Sequence, residues 1–186
     1  MRNLNKQNQV AERKFKAHFL MESVAFGLTD GVICFLGIIV GVATATLDAR
    51  LVIIAAVIGG VADALGNSIG FFVSQSTERA VQLKEAEEGE IHHVHSKKEV
   101  MLSGVSSFLA TLFVLCFLLF PFLFFGVWQA TTASFILGIV LSFLLGMYIG
   151  KLGGENIYKS GIKYSCITIL GAIVSYGLGE LLHIFI

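Results

Sequence analysis

The sequence predicts an all-α integral membrane protein with five membrane-spanning helices. The chain has 186 residues, of which 55% are hydrophobic and only 14% are charged, a balance too apolar for an ordinary soluble domain of this size. The apolar residues also gather in five segments, each close to the roughly 20 residues that a helix needs to cross a bilayer. These segments are predicted at residues 19–43, 51–74, 101–123, 131–150 and 164–186.

The five segments are predicted to be helices because hydrocarbon offers the backbone no hydrogen-bonding partners. A membrane β-barrel would instead show polar and apolar residues in alternation, and that pattern is absent. The first segment follows a basic tail but is too long for a secretory signal and contains Glu22 and Asp30. We therefore expect it to remain in the mature protein as the first span.

The N-terminal tail, residues 1–18, precedes this membrane domain, which comprises residues 19–186. Apolar residues such as Leu4, Val10 and Phe15 alternate there with basic ones, a pattern typical of a helix that lies on the membrane surface. Membrane lipid is accordingly an expected partner of the chain.

The positions of the basic residues predict the orientation. Of the 13 Lys and Arg residues, all but Arg50 fall in the tail, in residues 75–100 or in residues 151–163, which five spans place on one side. Because cytoplasmic segments are enriched in Lys and Arg, we expect a cytoplasmic N-terminus and an outside C-terminus. The short chain and its compact loop indicate the plasma membrane of a prokaryote.

Two aspartates, Asp30 and Asp63, lie in the middle of the first two spans. They are nearly equidistant from a turn predicted near Thr46 and Leu47, which places them at the same depth, close to the bilayer midplane. A carboxylate at that depth is costly unless a partner or an ion compensates its charge. We therefore predict that the two side chains share a transported cation.

Other polar residues follow the helical period on the same two spans and extend this predicted pathway. The three cysteines are odd in number and lie in apolar segments, which argues against a disulfide framework. Two interpretations of Cys34 stay open, a small core residue or a soft metal ligand. The predicted pathway comprises Glu22, Asp30, Cys34, Asp63, Asn67 and Ser68.

The loop at residues 75–100 is rich in Glu and His. Carboxylates and imidazoles suit Fe, Mn or Zn, and a helix would align Glu85, Glu88, His92 and His95 along one side as metal ligands. The alternative is a solvated charged loop, since lysines interleave with the acids and Gly89 disfavours an unbroken helix.

These features favour a transporter of divalent metal ions, with a passive cation channel or a non-transporting scaffold or accessory subunit as alternatives. An enzyme is disfavoured, because the sequence contains neither a His-Glu-x-x-His motif nor a glycine-rich phosphate loop. The basic residues follow the inner membrane face, so no nucleic-acid partner is expected.

Several motifs resemble the vacuolar iron transporter family of plants, yeasts and prokaryotes. They are Gly27-Leu28-Thr29-Asp30-Gly31 preceded by Glu22, Ala62-Asp63, Gly66-Asn67-Ser68, and Ser106-Ser107-Phe108 leading to Pro121. The resemblance runs from about Glu22 to the C-terminus, and the first-helix motif is its most specific part.

This resemblance implies a five-helix homodimer that exchanges Fe2+, and often Mn2+, for protons along a pathway at the dimer interface. It implies that Asp30 is a transport ligand and that Asp63 matches an acidic residue of the second helix. No permanently bound cofactor is implied. The family often has a methionine after the second-helix serine, whereas Ile69 follows Ser68 here.

Overall fold

The computed structural model describes residues 2–89 and 94–185, with side chains from Leu20 onward, and within these ranges it contains helices and no strand. The five α-helices are α1 (Arg2–Thr46), α2 (Ala49–Glu87), α3 (Lys97–Leu119), α4 (Val127–Leu152) and α5 (Ile157–His183), with a short 3-10 helix at Phe120–Leu123. Each is long and apolar enough to include a membrane span. The predicted fold class is confirmed in this respect.

The turn between α1 and α2 consists of Leu47 and Asp48, one residue beyond the predicted centre at Thr46 and Leu47. Leu47 adopts a left-handed φ of 54°, and the Asp48 side chain caps α2 by accepting a 2.7 Å hydrogen bond from the backbone nitrogen of Arg50. Such a tight turn makes α1 and α2 an antiparallel hairpin. Asp30 and Asp63 consequently lie at similar heights in the bundle.

Helix α1 is the central element of the bundle and packs against all four other helices. Its side chains Phe35, Leu36 and Ile39 are fully buried in the core. Helix α2 packs mainly against α1 and α3, and α5 packs mainly against α1 and α4. The seam between α1 and α2 therefore lies at an edge of the bundle.

Helix direction alternates along the chain, so α1, α3 and α5 begin at the end of the bundle where α2 and α4 finish. Gly27 of α1 packs against Ser107 of α3, and Gly41 packs against Ser175 of α5, as parallel helices require. The helix segments nearest this shared end hold most of the basic residues. We call it the basic end.

All five helices begin before their predicted spans, and α5 begins at Ile157, where the span was predicted from residue 164. The two largest differences are at the end of α2 and the start of α1. Helix α2 continues through Glu87, so the first half of the predicted loop at residues 75–100 is helical; good helix formers follow Ser74, and the first breaker is Gly89, with φ of 81°. Helix α1 begins at Arg2 and joins the predicted tail to the first span without interruption. The sequence before Gly27 contains no glycine or proline to separate them.

Side chains of α2 hold the connection to α3 in place near His95. The Arg79 Nε donates a 2.8 Å hydrogen bond to the His95 carbonyl, and the Gln82 Oε1 accepts one of 2.9 Å from the His95 backbone nitrogen. The His95 ring is buried, with its Nε2 3.5 Å from an oxygen of Glu78. These contacts dock residues 94–96 onto α2.

Candidate functional site

The amide of Asn67 connects the two predicted carboxylates. Its Nδ2 donates a hydrogen bond of 2.7 Å to Asp30 on α1 and a longer one of 3.3 Å to Asp63, one turn away on α2. All three side chains are partly buried at the seam between the helices. The structure thus brings together the two central aspartates and one further residue of the predicted pathway.

Cys34 and Glu22 extend this group in opposite directions along α1. The Cys34 thiol, one turn beyond Asp30, lies within hydrogen-bonding reach of the Asp63 carboxyl group. Glu22 is exposed two turns nearer the basic end, where it lines a cavity of about 440 Å³ together with Thr29. Both residues therefore lie along the predicted pathway, although only Cys34 contacts a carboxylate of the central group.

Ser68 lies apart from this group. Its carbonyl and hydroxyl oxygens face Gly104 of α3, where a Cβ atom would meet them at 3.1 and 3.5 Å. A step of one residue turns a helix by about 100°, so the neighbour of Asn67 points toward a different helix. The structure thus assigns Ser68 to the contact between α2 and α3.

The acidic and histidine residues predicted to collect metal do not share one helix face. Helix α2 ends at Glu87, so Glu85 is helical, Glu88 caps the helix, and His95 is buried against Glu78 beyond the turn. His92 lies outside the described residues. Within residues 2–89 and 94–185, no three His, Cys, Asp or Glu side chains are grouped closely enough to hold a metal ion.

The chemistry of the central group suits a hard divalent cation. Asp30 and Asp63 supply carboxylate oxygens and Asn67 has an amide oxygen, the donor types that Mn2+ and similar ions accept. In the structure, the Asn67 amide nitrogen donates hydrogen bonds to both carboxylates. An entering cation would replace that nitrogen between them.

An aromatic pair next to the site was not predicted from the sequence. The rings of Phe26 on α1 and Phe71 on α2 have centroids 5.6 Å apart. Phe26 precedes Asp30 by four residues and Phe71 follows Asn67 by four, a symmetric spacing in an antiparallel hairpin. That spacing was the available signal, but it is informative only once the register between α1 and α2 is known.

Comparison with known proteins identifies the family. Residues 21–102 and 86–180 match the model of the VIT family. The chain is also 30% identical over 160 residues to the uncharacterized protein MJ0645 of Methanocaldococcus jannaschii, covering 81% of this chain and 83% of that protein. The resemblance found in the sequence motifs is thereby confirmed. The chain belongs to the VIT family, and VIT membership implies the transport of metal ions across a membrane.

Proposed function

We propose that this protein is a proton-coupled antiporter that moves Fe2+, and also Mn2+, out of the cytosol. The observation that carries the proposal is the bridge made by Asn67 between Asp30 and Asp63 on two different spans. Ionisable residues within membrane spans are rare and costly, and they typically mark ion pathways or proton relays. Family membership supplies the metal as the class of cargo.

Competition between metal and protons at Asp30 and Asp63 provides the coupling. Two carboxylates at close range repel each other, and either a proton or a divalent cation relieves that repulsion. One ion species therefore displaces the other from the same pair of side chains. Antiport follows if the pair opens alternately to the two sides of the membrane, each time exchanging its occupant.

The direction of transport follows from the proposed orientation. The helix segments at the basic end are rich in Lys and Arg, so we place this end in the cytoplasm. We also place the chain in the plasma membrane of a prokaryote. Metal would enter the site from the basic end and leave from the end where α1 turns into α2.

A homodimer is proposed because one glycine face of α2 has no neighbour among the described residues. Gly27 and Gly146 pack against backbone atoms of α3 and α5, whereas a Cβ atom at Gly66 or Gly70 would meet no described atom within 4 Å. Small residues spaced four apart allow close approach between membrane helices. Because this face adjoins Asp63, a second copy seated on it would also enclose the site.

Transport by purified protein in liposomes tests the proposal. We expect Fe2+ and Mn2+ flux that increases when protons are supplied on the opposite side, and loss of that flux in Asp30→Asn and in Asp63→Asn. The matched control is Asp48→Asn, since Asp48 is exposed at the turn and asparagine also caps helices well. Unchanged flux in Asp30→Asn would reject the site.

Two other functions predict different results in the same assay. A passive cation channel would need both aspartates but would show metal flux that is indifferent to the proton gradient. A scaffold or accessory subunit would show no flux in any variant.

A further inference from the structure

The aromatic pair of Phe26 and Phe71 lies directly between the basic end and the carboxylate group. Phe26 and Phe71 are each four residues, about 6 Å along the helix axis, nearer the basic end than Asp30 and Asn67, which form the hydrogen bond between the helices. The pair is therefore the next layer of the seam between α1 and α2.

Phe26 also borders a cavity between α1, α4 and α5. Its volume is about 440 Å³, and its lining includes Glu22, Phe26 and Thr29 from α1, with Tyr164 from α5 opposite them. Glu22 is one turn nearer the basic end than Phe26 and is exposed. Phe26 thus borders this cavity on the side of α1 that faces α4 and α5, and it meets Phe71 on the side that faces α2.

The two rings differ in how firmly they are held. Phe71 is 9% exposed and packed among its neighbours, whereas Phe26 is 47% exposed and borders open volume. A change of side-chain rotamer therefore has room at Phe26 and little room at Phe71. Phe26 is suited to be the moving ring and Phe71 to be its fixed counterpart.

Two aromatic rings form an effective barrier to a hydrated cation. Phenylalanine offers no oxygen or nitrogen to replace the water that a divalent ion must shed, and burying an ion without such replacement is strongly unfavourable. Ion passage along the seam requires the rings to separate. Once they have separated, the carboxylates lie one turn further along.

We propose that Phe26 and Phe71 form a gate that controls access from the basic end to Asp30 and Asp63, with the Phe26 ring as the moving part. This inference rests on the proposed transport function, since the gate would control access to the same site. The physical content, a barrier to access from one end, is measurable without transport.

Cys34 provides a native reporter of access, because it lies beside Asp63 and beyond the gate. In a Cys116→Ser, Cys166→Ser background it is the sole thiol. A membrane-impermeant, cationic methanethiosulfonate reagent is applied to sealed vesicles of either orientation, and the rate of Cys34 modification is measured. We expect Phe26→Ala and Phe71→Ala to raise this rate at least tenfold from the basic end and to leave the rate from the opposite end unchanged.

Phe113→Ala is the matched control. Phe113 is an exposed ring on α3 that pairs with Phe117 at 6.0 Å, so its removal also breaks an aromatic pair but lies away from the seam. Phe26→Trp should slow the modification of Cys34. If Phe71→Ala does not fold, the two Phe26 variants decide the question, since that side chain is half exposed.

Equal rates of modification in the parent, Phe26→Ala and Phe26→Trp would overturn the gate. The same rise in Phe113→Ala would also overturn it, since the effect would then be a general loosening of the bundle. Metal flux is measured in parallel on the parent. A parent without flux refutes the proposed function, whereas a rate change confined to the Phe26 and Phe71 variants still supports the gate.

Discussion

Asn67 and Asp30 are 37 residues apart in the chain, yet the Asn67 amide donates a 2.7 Å hydrogen bond to the Asp30 carboxylate. This bond joins α2 to α1 at the level of the candidate site, and the same nitrogen also reaches Asp63 at 3.3 Å. Asn67 therefore sets the distance between the two carboxylates. The contribution of Asn67 to transport can therefore be tested separately from that of the two aspartates.

Asn67→Ala is expected to reduce metal flux about tenfold or more. A hydrogen bond to a charged group contributes about 1.5–3 kcal/mol, and tenfold corresponds to about 1.4 kcal/mol. The control is Ser68→Ala, which alters the next residue but faces Gly104 of α3, and its flux should stay within about twofold of the parent. Equal loss in both variants would indicate damage to α2 in general.

Metal binding is expected to strengthen as the pH rises. Protons and metal compete for Asp30 and Asp63, so at low pH the protonated carboxylates bind metal weakly, and removal of protons at higher pH restores affinity. Titration calorimetry with Mn2+ at two pH values measures this dependence. The double variant Asp30→Asn, Asp63→Asn should bind weakly at both values; a pH dependence that persists in it would place the competition elsewhere.

Gly27→Ala is expected to destabilise the fold, because its Cβ atom would lie 2.5 Å from the carbonyl oxygen of Ser107. Backbone cannot move aside as a flexible side chain can, so we expect a loss of about 1–3 kcal/mol, seen as a lower melting temperature in detergent. Gly177→Ala is the control, since a Cβ atom there, on the exposed face of α5, would meet no described atom within 4 Å. That variant should match or exceed the stability of the parent.

Gly66→Trp is expected to weaken the proposed homodimer. An indole on the open glycine face of α2 would hold a second copy away from Asp63, while no described atom within 4 Å opposes it in one chain. Single-molecule photobleaching in bilayers measures the oligomeric state. Gly177→Trp on α5 should remain dimeric, and an unchanged dimer in Gly66→Trp would place the interface on another face.

Arg79→Ala is expected to release the connection between α2 and α3. The Arg79 guanidinium and the Gln82 amide satisfy the backbone of His95, so removing either leaves a buried polar group without its present partner. Hydrogen exchange of residues 94–96 should accelerate, whereas Lys84→Ala, on an exposed position of α2, should leave it unchanged. Equal exchange in all three proteins would show that these bonds do not hold the segment.

The spans and the central residues were predictable for a physical reason. Crossing a bilayer needs a long apolar segment, and this requirement is visible in composition alone. The tight turn at Leu47 and Asp48 then fixed the relative depth of Asp30 and Asp63 from residue counting. The extent of α2 was less accessible, because its last turns carry charged residues that are equally common in loops and in exposed helices.

The sequence by itself determined the number of spans, the clustering of basic residues at one end and the matched depth of two acidic side chains. These properties depend only on the order of residues and on the cost of placing charge in lipid. The tertiary structure decided that Asn67 bridges the carboxylates, that Ser68 faces α3 and that Phe26 meets Phe71. Such contacts depend on the rotation and register of neighbouring helices, which are set by close packing such as that of Gly27 against Ser107.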